Sequence, residues 1–159
     1  MNKADTEKIL RFYNRIDDDI KMCKNSIMEY EERYNIVGAI ICDDMPKGSS
    51  MSDKVARQAV KNAEADTIES IDFLYERIGE LKRMRMEILK ELTTLQAIHK
   101  MILTEYYIKR RNWKQIATKE GYSVRQMQNY RKEALEVMTE KITRNIYLSH
   151  SEFVKKNVL

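Results

Sequence analysis

Little in this sequence breaks or cross-links a chain: 159 residues include one proline, four glycines and two cysteines. A chain of that length makes one or two small domains. Cys23 and Cys42, with only two histidines, exclude a disulfide framework and a four-ligand zinc site of familiar spacing. A reducing compartment is therefore expected. No run of 18 uncharged apolar residues occurs, and Met1-Asn2-Lys3-Ala4-Asp5 leads into no apolar signal core. The expectation is a soluble, cytoplasmic protein that neither contacts a membrane nor leaves by a standard export route.

What is abundant is charge, at 34% of residues against 43% hydrophobic, and it is unevenly spread. Residues 100–144 hold eleven Lys/Arg and five Asp/Glu, whereas residues 1–99 hold sixteen and nineteen. A basic segment attached to a mildly acidic one suggests a polyanion-binding module carried on something else. A solvated basic face would show the same excess, so pattern has to decide.

From Ile9 the apolar positions Tyr13, Ile16, Ile20, Cys23, Ile27, Tyr30, Tyr34, Val37 and Ile41 follow at steps of four and three. This spacing predicts a narrow seam on one long helix, which needs a partner to be stable. Regularity stops at 43–52, where Pro46 and Gly48 oppose a helix and Ser50 or Ser52 offers a new cap. Periodicity resumes weakly at Val55, Ala59 and Ala63, then strongly at Ile71, Leu74, Ile78, Leu81, Ile88, Leu92 and Leu95, with Arg85 breaking the run. Residues 1–91 thus read as an antiparallel coiled-coil hairpin for oligomerisation or partner contact, with a homodimer through the Ile9–Val37 seam as the favoured assembly.

Residues 92–145 read as three shorter helices forming a helix-turn-helix domain, which makes the whole chain all-α. Asn112 with Gln115 and Ser123 with Gln126 have the spacing of capping boxes, and Gly121 suits a left-handed helix end. Ala117 falls where the two helices cross, and Ile116, Tyr122, Met127 and Tyr130 fall at buried positions. Glu120 stands where an apolar residue is usual. On the last helix Met127, Tyr130, Ala134, Leu135 and Met138 share one face, which leaves Arg125, Asn129, Lys132 and Glu136 opposite them, with Arg125, Asn129 and Lys132 flanked by Gln126 and Gln128. Arg bonds bidentately to guanine, and Asn or Gln to adenine, in the major groove, so Arg125, Gln126, Gln128, Asn129 and Lys132 are the candidate base readers. Lys109, Arg110, Arg111, Lys114 and Ser123 are the candidate phosphate contacts. The tail 146–159 carries one weak cap signal, Ser149 with Glu152, and reads as a short or frayed helix.

The run from Ile102-Leu103-Thr104-Glu105-Tyr106-Tyr107-Ile108 through Asn112-Trp113-Lys114-Gln115-Ile116-Ala117 to Ala134-Leu135 resembles region 4 of the sigma-70 family, the part that reads the −35 promoter element. Met45-Pro46-Lys47-Gly48-Ser49-Ser50-Met51-Ser52-Asp53 resembles the Gly-Met-Pro-x-Gly-x-x-x-Ser-Asp segment of small phage regulators of the ArpU/RinA type, found in Gram-positive phages and prophages. Asp44 replaces that segment's first glycine. The resemblance implies a phage-encoded, DNA-binding regulator of late-gene transcription. A full sigma factor is not expected, because residues 1–91 lack the basic, aromatic-rich helices that would melt a promoter.

No nucleophile–base pair, phosphate loop or carboxylate motif stands out, so no enzyme, catalytic residue, metal or cofactor is expected. His99, Cys23 and Asp17-Asp18-Asp19 read as packed or solvated residues, not ligands. Two other readings share the pattern. One is a small terminase subunit, which also joins a helix-turn-helix to an oligomerising coiled coil but recognises a packaging site. The other is an adaptor that binds bacterial RNA polymerase with little DNA contact.

Overall fold

Asn2 starts the first helix, α1 (Lys3–Phe12): its side chain accepts from the Asp5 amide at 2.9 Å, and Asp5 accepts from the Asn2 amide at 3.2 Å. The computed structural model describes the backbone of residues 1–42 and 52–159 and the side chains of 1–34 and 61–159. All regular structure among the described residues is helical: α1, α2 (Ile16–Cys42), α3 (Ser52–Thr93), α4 (Ala97–Leu103), α5 (Trp113–Glu120), α6 (Val124–Arg144), α7 (Ile146–His150) and α8 (Glu152–Asn157). The expected all-α class is what is found. No helix among the described residues is long and apolar enough to cross a membrane. The break at 43–51, with Pro46, Gly48 and Ser50, lies outside the described residues, as do the side chains of Val37, Ile41, Cys42, Ser52, Val55 and Ala59.

The seam that starts at Ile9 does not lie on one helix. A 3₁₀ turn, Tyr13–Arg15, separates α1 from α2. The step of four from Ile9 would bury Tyr13, but Phe12 and Ile16 point inward and Tyr13 stays half-exposed. Asn14 donates its side-chain amide to the Tyr107 carbonyl, which ties the turn down. Tightening three residues from 3.6 to about three per turn is enough to move the seam by a position.

The chain forms two units whose division differs from the expected boundary at residue 91. The first comprises residues 1–18 and 80–159, and the second residues 19–79. In the second, Cys23, Ile27 and Ile78 are buried together, with Ile20, Ile71 and Leu74 packed on them. Ser26 and Tyr30 line a shallow groove with Asp66, Ser70 and Phe73, so later residues of α2 meet earlier residues of α3, an antiparallel pairing. Cys23 behaves as a small apolar side chain here. Within this unit the seam positions Cys23 and Ile27 are therefore covered by the same chain, whereas Tyr34 is 42% exposed.

In the first unit, α1 packs along α6. Thr6 and Thr139 hydroxyls meet at 3.0 Å and Lys3 pairs with Glu136. Ile9, Leu10, Ile16, Leu81, Met84, Ile88, Leu103, Met138 and Ile142 are fully buried, each contributing about 1.5–3 kcal/mol of transfer free energy. Met84, not its neighbour Arg85, continues the inward run on α3, and Arg85 turns out to pair with Asp17. The 146–159 segment is ordered into α7 and α8, with Leu148 and Val154 fully buried, so it is not a frayed tail. Its cap is Asn145, not Ser149: the Asn145 oxygen accepts from the Leu148 amide at 3.1 Å, while its amide donates to Glu87 and Glu91 at 2.8 and 2.7 Å. Tyr147 then donates to the Glu80 carboxylate at 2.7 Å beneath the Arg83 guanidinium.

Candidate nucleic-acid interface

Local sequence sets the two helices of the turn. Gln115 N–H donates to the Asn112 side chain at 2.9 Å and Asn112 N–H to Gln115 Oε1 at 3.1 Å, closing a capping box at the start of α5. Gly121 ends that helix at φ 72°, where a side chain would be strained by the backbone alone, since nothing lies within 4 Å of an added Cβ. Ser123 and Gln126 close a second box at α6, through Gln126 N–H to Ser123 Oγ at 3.2 Å and Ser123 N–H to Gln126 Oε1 at 3.0 Å. Each box stabilises its helix by about 1 kcal/mol and fixes the angle at which the chain enters it.

Beneath the turn, Ile116, Ala117 and Met127 are buried with Ile102 of α4, and Ile98, Met101, Tyr106, Trp113 and Tyr130 pack around them. Ala117 is 5% exposed at the crossing, where a larger side chain would push the helices apart. Trp113 stacks on Tyr106 at 4.2 Å between ring centroids and 18° between planes. Tyr122, expected in this core, is instead 42% exposed and lies edge-on to Tyr130 at 5.9 Å. The left-handed Gly121 turns the chain outward just before it. Glu120, where an apolar residue is usual, pairs with Lys119 at 3.0 Å.

Arg125, Gln126, Gln128, Asn129 and Lys132 are all exposed on the first three turns of α6. Among the described residues, Arg125 and Lys132 make no ion pair, and Gln128 and Asn129 make no side-chain hydrogen bond, so their donors and acceptors face solvent. Gln126 is different. Its Oε1 accepts from both the Ser123 amide and, at 2.9 Å, the Ser123 hydroxyl. Bidentate pairing with adenine needs that oxygen, so Gln126 is engaged in holding the helix start. Ser123, a candidate phosphate contact, is engaged in the same way.

The candidate phosphate residues divide too. Glu105, 3% exposed, sits in a π-helical turn, Thr104–Ile108, that continues α4. Lys109 and Lys119 reach its Oε1 at 2.9 and 3.1 Å, and Arg111 reaches Oε2 at 2.7 Å. Burial pushes this carboxyl upward, but hydrogen bonds from Lys109 and Lys119 and the charge of Arg111 outweigh it and hold it below the usual range. Lys109 and Arg111 are thus committed to an internal carboxylate, while Arg110 and Lys114 stay exposed and, among the described residues, without an ion pair. Arg110 has φ 53°, in the left-handed region, which is uncommon for a residue other than glycine.

Arg131, which sequence reasoning passed over, clamps the domain. Its Nη2 donates to the Tyr107 hydroxyl at 2.6 Å and to Glu7 at 2.7 Å, and Nε donates to Tyr107 at 2.9 Å. Burial pushes Tyr107 up to about 12 against the opposing effect of Arg131. The Glu105–Lys109 pair was readable as an i,i+4 spacing. Lys119 and Arg131 carry no such local sign, because their partners are 14 and 24 or more residues away.

His99 is buried, with Nε2 3.8 Å from Glu133 and Nδ1 unpartnered. Among the described residues, no three His, Cys, Asp or Glu side chains are grouped to hold a metal. Compared with family models, curated proteins and solved structures, the chain matches none.

Proposed function

We propose that this chain is a sequence-specific double-stranded DNA-binding regulator of phage or prophage transcription, acting on late genes in the host cytoplasm by binding and not by catalysis. The observation that carries the reading is the outer face of α6. Arg125, Gln128, Asn129 and Lys132 stand exposed and uncommitted on a helix entered through a capped, left-handed turn and seated on α4 and α5. On a surface helix, Arg and Lys can instead pair with carboxylates three or four positions away. A face rich in Arg, Gln and Asn matches base edges in the major groove. The resemblances to sigma-70 region 4 and to ArpU/RinA-type regulators point the same way.

The working form in this reading is a homodimer. Since Cys23 and Ile27 of the seam are covered by α3, the apolar surface that this reading offers a second copy lies elsewhere: Met22, Met28, Ile68, Phe73 and Tyr75 are each more than half exposed in the 19–79 unit.

The test is selection of bound duplexes from a random pool by the full chain. Enrichment of one motif with two related half-sites is the expected result, and recovery of the pool without enrichment would sink the reading.

A further inference from the structure

One cleft of the first unit has an unbalanced lining. About 650 Å³ in volume, it lies between the end of α1, the 3₁₀ turn, the loop before α5 and the end of α8. Its charged lining is Lys8, Arg11, Arg15, Arg110 and Arg111, with no carboxylate. Arg111 is committed to Glu105, Lys8 donates to the Leu159 main-chain oxygen at 2.8 Å, and Arg11 pairs with Glu7 at 3.8 Å while lying over the Tyr107 ring at 5.6 Å. Arg15 and Arg110 are exposed and, among the described residues, make no ion pair. The two uncommitted guanidiniums, Arg15 and Arg110, leave the concavity positive and hold counterions there, which an arriving polyanion releases.

The cleft continues past its own edge. Arg111 and Asn112 also line a second cleft with Lys114 and Lys119. The two form one cationic row from α1 to the start of α5. A row suits a strand of successive phosphates better than a single anion.

We propose that this cleft is a second DNA-backbone contact, in which Arg15 and Arg110, supported by Lys8 and Arg11, hold phosphates next to those held at the start of α5. The proposal rests on the DNA-binding reading above and adds to it a segment, residues 1–18, whose mildly acidic surroundings in the sequence had placed it with the oligomerisation hairpin.

The experiment measures binding of the full chain to a mixed-sequence 30-base-pair duplex by fluorescence anisotropy across a salt series. The variants are Arg15→Gln, Arg110→Gln, the pair together, and Lys114→Gln. Lys90→Gln with Arg144→Gln serves as a charge-matched control, from a cleft that also holds Glu87 and Glu91. Each cleft variant should lower the slope of log affinity against log salt by about one unit, and the pair by about two. The control should leave the slope unchanged. A slope unmoved by the paired cleft substitution but lowered by Lys114→Gln would overturn the cleft contact and leave DNA binding intact. An equal fall in the control would reduce the effect to overall charge and also overturn it. Absence of duplex binding by the unsubstituted chain would end both readings. Arg15 sits on an exposed turn without an ion-pair partner, so Arg15→Gln alone decides the matter if Arg110→Gln loses helicity.

Discussion

Arg131 Nη2 on α6 lies 2.7 Å from Glu7 Oε1 on α1, so a helix at the start of the chain is bonded directly to the helix that carries the base-reading candidates. The same guanidinium holds the Tyr107 hydroxyl. The packing of α4, α5 and α6 is therefore not closed by residues 92–145 alone.

Replacing Arg131 with Ala removes charge-assisted bonds to Tyr107 and Glu7 and should destabilise the chain by about 1.5–3 kcal/mol, read from urea unfolding. Deleting residues 1–18, which takes away the fully buried Ile9, Leu10 and Ile16, should be more damaging still. A 92–145 fragment as helical and as cooperative as the full chain would show that α1 is an accessory.

Acid should expose the Glu105 centre. Its folded carboxyl is held below the ordinary value of about 4.3, so the folded state binds the proton less readily than the unfolded state and stability rises with pH through that range. The contribution is fully present above the ordinary value and is lost as pH falls through the lowered one. Glu105→Gln should therefore be less stable than the parent at pH 7, with the gap closing toward pH 3. A gap that stays constant with pH would mean that the three cations do not act on Glu105 through its charge.

Gly121 contributes through backbone conformation alone. Gly121→Ala should cost about 1–2 kcal/mol from left-handed strain, and Gly121→Asn less, because Asn tolerates that region better. A loss far larger for Ala would indicate a steric contact that the open surroundings of Gly121 do not contain. Unfolding midpoints of the two variants decide between these.

Assembly and folding should separate in the 19–79 unit. Phe73→Glu with Ile68→Glu alters exposed positions and should halve the sedimenting mass with helicity unchanged. Ile27→Asp, at a buried position, should unfold the unit by stranding a charge among Cys23 and Ile78. A mass unaffected by the first pair would remove those side chains from any dimer contact.

Which features were legible from sequence follows from how local their causes are. The starts of α5 and α6 and the end of α5 were readable, since Asn112 with Gln115, Ser123 with Gln126, and Gly121 act within a few residues. The inward positions of α6 followed from helical period. The 3₁₀ turn at 13–15 was not readable, because Ile9, Tyr13 and Ile16 keep a seam-like spacing and only the Asn14–Tyr107 bond, 93 positions apart, reveals the break. The affiliation of α1 was hidden for the same reason: Lys3 and Glu7 look like solvated helix residues until Glu136 and Arg131 arrive from α6. Charge counting placed Lys109 and Arg111 among the free cations, because a count does not see that Glu105 is buried beneath them.

The most direct test of the central claim, that the third turn-forming helix reads bases, uses the duplex motif selected by the full chain and a scrambled version of it. Arg125→Ala and Asn129→Ala should each cost about 1–3 kcal/mol on the selected duplex and little on the scrambled one. Lys114→Ala should weaken both alike and reduce the salt slope by roughly one unit. Equal losses on both duplexes for Arg125→Ala and Asn129→Ala would contradict the account, because side chains that distinguish no sequence are not reading base edges.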